Sequence, residues 1–252
     1  MEAHENCCSP QDACRDSRRN LLKSALGIAA MGGVGALGLG MPQLSFAAAL
    51  SKKERDALTP DQVIEQFKQG NARFRAGKMH PHDYLAQKRA SAGGQYPAAV
   101  ILSCIDSRAP SEIILDAGIG ETFNSRVAGN VVSDDVLGSL EFSCALAGAK
   151  LVLVMGHTAC GAIRGAIDNA ELGNLTGLLD KIKPAVAATK YTGERIGSNY
   201  EFVDEVAKTN VLLAIDEIRR RSPVLAGLEK DGKIRIVGSM YNLAGGKVDF
   251  LA

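Results

Sequence analysis

The chain has 252 residues, 46% of them hydrophobic, and its 29 Lys and Arg against 28 Asp and Glu leave a net charge of +1. That length and apolar share can bury one substantial core. Near-balanced charge, 5% aromatic residues and no basic patch beyond a short N-terminal cluster exclude nucleic acid as a partner.

The first fifty residues read separately from the rest. Ser17-Arg18-Arg19-Asn20-Leu21-Leu22-Lys23 precedes an uncharged run from Ser24 to Ser51. Paired arginines ahead of an apolar stretch with a small-residue exit mark an export signal, and this one resembles a twin-arginine signal peptide. Ala47-Ala48-Ala49 or Ser45-Phe46-Ala47 offers the cleavage site. The run is also long enough for an uncleaved membrane anchor, and a disordered tail is a further alternative. Export is the favoured reading: residues 1–49 as signal, 50–252 as the folded domain, the export machinery as partner and the periplasm as destination. Cys7, Cys8 and Cys14 would leave with the signal. The remaining Cys104, Cys144 and Cys160 are too few and odd in number for a disulfide framework.

Ser51 to Asp61 reads as a polar entry segment. Thr59-Pro60-Asp61 then starts a helix, with a Thr cap, Pro in the first position and an acid in the first turn. Its apolar residues Val63, Ile64, Phe67, Ala72 and Phe74 recur at helical spacing up to Gly77. His80-Pro81-His82 reads as a turn with solvent-exposed histidines, and Asp83 to Ala92 as a second helix. Ala98 to Leu102 is a short apolar run of the kind that forms a strand buried on both faces. A short helix over Ser111 to Asp116 and a strand over Thr122 to Val127 follow. Asp134 or Asp135 is expected to cap a helix to Gly148, with Cys144 packed inside it. Lys150 to Gly156 is the clearest strand, and Cys160-Gly161 opens a helix through Ile167. Leu175 to Lys190 and Glu201 to Arg221 read as helices, and Ser222-Pro223 starts a short one to Leu228. Ile234 to Gly238 and Val248 to Leu251 are strands, with a Gly245-Gly246 turn between them. Alternating strands and helices predict an α/β fold: a parallel sheet with helices on both faces.

The chemistry concentrates at the ends of two strands. Cys104-Ile105-Asp106-Ser107-Arg108 follows one, and His157-Thr158-Ala159-Cys160 follows the other. Two thiols and an imidazole suit zinc, and a site with three protein ligands leaves one position for water. Asp106 stands two residues from the first Cys, within reach of the metal or its water, and Arg108 can hold that carboxylate. The plain alternative is two core thiols, since free Cys is often buried.

These motifs resemble the β-class carbonic anhydrases. The resemblance runs from about Asp61 to the C-terminus through Gln69-Gly70-Asn71-Ala72-Arg73-Phe74, Cys-x-Asp-Ser-Arg, Arg126-Val127-Ala128-Gly129-Asn130, His157-Thr158-Ala159-Cys160-Gly161 and Gly238-Ser239-Met240-Tyr241. It implies four parallel strands with an added edge strand, and a homodimer or a tetramer of dimers in which an N-terminal helical arm embraces the neighbour. It implies zinc on Cys104, His157 and Cys160, an Asp106–Arg108 catalytic dyad, and Asp106 as a metal ligand only in a closed state. The activity implied is reversible hydration of carbon dioxide to bicarbonate and a proton by hydroxide formed on zinc, with the Gly161 N–H facing a substrate oxygen. Some members carry a substrate-contacting Gln near residues 116–118, where this chain reads Asp116-Ala117-Gly118. The alternatives are a carbon disulfide or carbonyl sulfide hydrolase on the same site, a metal-free Cys104–His157 nucleophilic hydrolase, and a non-catalytic zinc-binding module.

Overall fold

The structure, a computed structural model, describes residues 49–251. The export segment and Cys7, Cys8 and Cys14 lie outside the described residues, Ala49 apart. Five strands, β1 (Ala99–Ser103), β2 (Thr122–Arg126), β3 (Leu151–His157), β4 (Arg235–Tyr241) and β5 (Val248–Leu251), form one sheet in the order β2-β1-β3-β4-β5. The first four are parallel and β5 runs antiparallel to β4, so the α/β sheet has the four parallel strands and edge strand expected of it. All residues of β1 and β3 are buried. Their alternate side chains feed two cores: Val100, Leu102, Val152 and Val154 on one face, Ala99, Ile101, Leu151 and Leu153 on the other. A strand covered on both faces shows a continuous apolar run, which is why these were legible.

Helices α1 (Lys52–Ala57), α2 (Pro60–Arg75) and α3 (Tyr84–Ser91) precede the sheet. The supposed entry segment contains α1, closed by a reciprocal cap between Ser51 and Glu54. A six-residue helix is too short to show a period, and its capping box was the overlooked signal. Thr59 caps α2, whose Val63, Ile64 and Phe67 pack on the sheet of the same chain. Next come α4 (Ser111–Ile114), α5 (Asp134–Glu141), α6 (Gly161–Ile167), α7 (Gly173–Asp180), α8 (Lys183–Ala188), α9 (Tyr200–Arg221) and α10 (Pro223–Lys230). Ser133, rather than Asp134 or Asp135, caps α5, its hydroxyl accepting from the Val136 N–H. The helix then widens into one π-turn over Phe142–Leu146, where Cys144 is buried. Burial pushes the Cys144 thiol up to about 12, as befits a packing residue. The stretch expected as one helix from Leu175 to Lys190 is two, divided at Lys181 and Ile182 next to Pro184. No helix among the described residues is long and apolar enough to cross a membrane.

One histidine reading is overturned. The His82 side chain is only 3% exposed, and its Nε2 lies 2.9 Å from Oδ1 of Asp116. Asp116 takes a left-handed backbone, φ 52°, that turns its carboxylate fully inward. A buried carboxylate needs donors. Arg73 Nε at 2.6 Å and the His80 N–H at 3.2 Å supply two more, drawing the loop in.

Candidate metal centre

Neighbouring parallel strands end at the same edge of a sheet, where α/β folds bind ligands. Ser103 of β1 pairs with Met155 of β3, so the residues just beyond, Cys104 and His157, emerge side by side. Cys160 stands at the N-terminal cap of α6. Between His157 and Cys160 the chain reverses through Ala159, whose φ of 52° is left-handed. That conformation costs a residue with a Cβ about 1–2 kcal/mol.

The turn brings the three candidate ligands together. Sγ of Cys104 and Sγ of Cys160 are 4.0 Å apart, and these two atoms and a ring nitrogen of His157 lie within 4.8 Å of one another. A disulfide would need about 2.05 Å, whereas two thiolates on one tetrahedral zinc at Zn–S of about 2.3 Å lie about 3.8 Å apart. His157 Nδ1 donates to the Thr158 carbonyl at 2.8 Å, and its buried Nε2 has no partner in the protein. An imidazole anchored through one nitrogen with the other aimed at two thiols is a ligand set suited to zinc.

The charges agree. The Cys160 thiol hydrogen-bonds Cys104 and holds that thiol well below its usual range, helped by His157 and by the Gly129 N–H at 3.4 Å. Cys160, beside that thiolate and buried, is pushed up in turn. Burial lowers His157, but the neighbouring Cys104 sulfur, the Thr158 carbonyl and the Asp106 charge outweigh it and raise the imidazole overall. A divalent cation relieves the repulsion that keeps the second thiol protonated, so loading releases protons.

Asp106 sits at the mouth. Arg108 grips it with Nε to Oδ1 at 2.9 Å and Nη2 to Oδ2 at 2.7 Å, and the Arg108 N–H adds a bond to Oδ1 at 2.9 Å. The Arg108 side chain thereby holds the Asp106 carboxyl far below the usual carboxylate range. Oδ2 is 3.8 Å from His157 Nε2, close to the ligands yet turned to the arginine. Gly161 opens α6 onto free space, since a Cβ there would meet nothing within 4 Å.

Four supporting residues escaped the sequence reading as site residues. Arg126 donates from β2 to the carbonyls of Cys104 at 2.9 Å and Asp106 at 2.6 Å, holding the loop between the ligand and the acid. Gly129 has a left-handed φ of 66°, and a Cβ there would lie 2.6 Å from Ile182 Cδ1, which would have to shift. Asn210 Nδ2 donates to its carbonyl at 2.8 Å. Asp204 Oδ1 accepts the Ala159 N–H at 2.8 Å. Arg126 and Gly129 lie in the Arg126-Val127-Ala128-Gly129-Asn130 motif. Asn210 and Asp204 lie inside α9, with no local signal.

A family model described as carbonic anhydrase matches residues 99–248, a span holding all three candidate ligands. The chain belongs to the carbonic anhydrase family. It is 36% identical over 190 residues to carbonic anhydrase 2 of Mycobacterium tuberculosis, covering 75% of this chain and 91% of that one. It is 34% identical over 192 residues to the carbonic anhydrase of Mycolicibacterium smegmatis, covering 75% and 92%. Among solved structures, one of two tetrameric β-carbonic anhydrases from Sordaria macrospora superposes with a TM-score of 0.57 at 26% identity, over 64% of this chain and 83% of that one. The Coccomyxa β-carbonic anhydrase in complex with acetazolamide gives 0.58 at 22%, over 76% and 82%, a likeness of fold. The sheet and its surrounding helices are thus those of the β-carbonic anhydrases.

Proposed function

We propose that this protein catalyses the reversible hydration of carbon dioxide to bicarbonate and a proton, with zinc held by Cys104, His157 and Cys160. One observation carries it: in a member of the carbonic anhydrase family, two thiols and an orphaned buried imidazole nitrogen converge within 4.8 Å. Bound there, zinc supplies a water acidified enough to act as nucleophile. Asp106 accepts a hydrogen bond from that nucleophile and orients it, Arg108 holds Asp106, and the Gly161 N–H receives a substrate oxygen. Cys104 and Cys160 contribute two negative charges, so acidification is weaker than the value of about 7 reached with three histidines. A mildly alkaline preference follows. A structural zinc site is closed by four ligands. Asp106, the nearby group able to supply the fourth, is engaged by Arg108, which favours a catalytic site.

The assembly is a dimer or a tetramer of dimers. In support, β2 has β1 on one side and no strand on its other side among the described residues, and open sheet edges invite pairing. The N-terminal segment directs export, and the periplasm is the working compartment. Arg18-Arg19 and the apolar run after them support this.

The test is stopped-flow carbon dioxide hydration by purified protein of measured zinc content. About one zinc per chain and rapid turnover are expected, and Cys160→Ser should lose both. Zinc-replete protein that ignores carbon dioxide but hydrolyses carbon disulfide or carbonyl sulfide would move the assignment to that chemistry. Zinc without turnover of any of the three would leave a binding module.

A further inference from the structure

We infer that Asp204 is a positioning residue for the metal centre, holding the left-handed turn at Ala159 so that His157 and Cys160 face one ion. This rests on Cys104, His157 and Cys160 being the zinc ligands. Only Thr158 and Ala159 separate the second and third ligands, so the backbone of those two residues sets the angle at which Cys160 meets His157. A left-handed Ala persists where its surroundings over-determine it.

Thr158 is secured from the sheet side. Its N–H donates to the Tyr241 carbonyl at 2.9 Å, and its Oγ1 accepts the Leu243 N–H at 3.0 Å. Ala159, the strained residue, is secured from the other side by Asp204 at 2.8 Å. The Asp204 carboxylate is itself well placed. Phe202, Val203, Val206 and Ala207 flank it on α9 and lie buried in the same cluster as Cys104 and Cys160. Helix, turn and ligands therefore form one packed unit. Without the carboxylate, Ala159 is free to relax towards ordinary φ, and the Cys160 thiol turns away from its partners. The role needs an acceptor oxygen rather than a charge. Burial raises the Asp204 carboxyl above its ordinary value while the Ala159 N–H opposes this, and a neutral amide oxygen would serve equally.

The experiment measures zinc affinity of the full chain by competition with a chromophoric chelator, and the thiolate-to-metal absorption of cobalt-substituted protein. Asp204→Ala should weaken zinc roughly 10- to 100-fold, the usual effect of losing a group that orients a ligand, and shift the cobalt bands. Asp204→Asn should keep affinity and bands near wild type. Adding Ala159→Gly to Asp204→Ala should recover most of the loss, because glycine needs no holding in this conformation. Wild-type affinity in Asp204→Ala overturns the inference. So does an Asp204→Asn variant as impaired as Asp204→Ala, which would mark a purely electrostatic role, or a double variant with no recovery. If Asp204→Ala alone does not fold, the double variant carries the test: folded and zinc-binding supports the inference, unfolded or zinc-free overturns it. Wild-type protein that takes up no zinc would instead refute the metal reading itself.

Discussion

On the proposed function, a zinc ion would compete with Arg108 for the Asp106 carboxylate. Arg108 holds it through two charge-assisted bonds of 2.9 and 2.7 Å, which a planar fork makes and a lysine cannot. The Asp106 side chain is 14% exposed, and without the arginine it loses both bonds, with His157 Nε2 only 3.8 Å away marking where a bound cation would relieve it. Arg108→Ala should therefore keep its zinc while Asp106 turns onto the metal. Hydration should fall about a hundredfold, the scale of a misplaced catalytic group. Zinc-edge absorption should gain an oxygen neighbour without losing sulfur. Near-wild-type hydration, or loss of zinc, would refute this.

At the scale of elements, two junctions contribute to stability. On α2, Gly70 lies against the Leu115 carbonyl, and a Cβ there would collide with backbone that cannot step aside. Asn71 beside it bonds the carbonyls of Ile114 at 3.2 Å and Gly246 at 2.8 Å and accepts the Val248 N–H at 2.9 Å, so the helix cannot slide away. Helix propensity alone favours Gly70→Ala by about 1 kcal/mol, but overpacking of about 1–3 kcal/mol or more outweighs it. Thermal unfolding should shift down by several degrees, and an unchanged midpoint would show that α2 can move. The second junction joins α9 to α10. Arg219 Nε and Nη2 each lie 2.8 Å from Glu229 oxygens, and the Arg219 side chain holds the Glu229 carboxyl low. A carboxyl lowered by folding contributes stability above its unfolded value, and that contribution is lost as pH falls through the folded one. Both side chains are partly exposed, so Arg219→Ala should cost about 0.5–1 kcal/mol near neutral pH. Urea midpoints of the two proteins should draw together on acidification below the ordinary Glu value of about 4.3. A gap independent of pH would refute the ionic account.

For the whole molecule, the export reading makes the protein fold, take up zinc and cross the membrane in that order, because thiolates occupied by metal are protected from oxidation. Replacing Arg18 and Arg19 by Lys should leave precursor in the cytoplasm, seen by fractionation and mass, while the purified precursor still hydrates carbon dioxide. Undiminished export of the doubly substituted chain would overturn the twin-arginine assignment.

What the sequence alone determined is what neighbours along the chain encode. Continuous apolar runs marked β1 and β3, Thr59-Pro60 marked the start of α2, and Cys104, His157 and Cys160 suggested a metal site by their chemistry. Tertiary structure decided whatever depends on partners distant in sequence. Asp204 reaches Ala159 from 45 residues away, Asn210 reaches Gly129 from 81, and His82 is buried by an aspartate 34 residues on. An Asp or Asn within an amphipathic helix carries no mark of the backbone group it will meet. That choice is made when the helix packs and a buried N–H or C=O must find a partner.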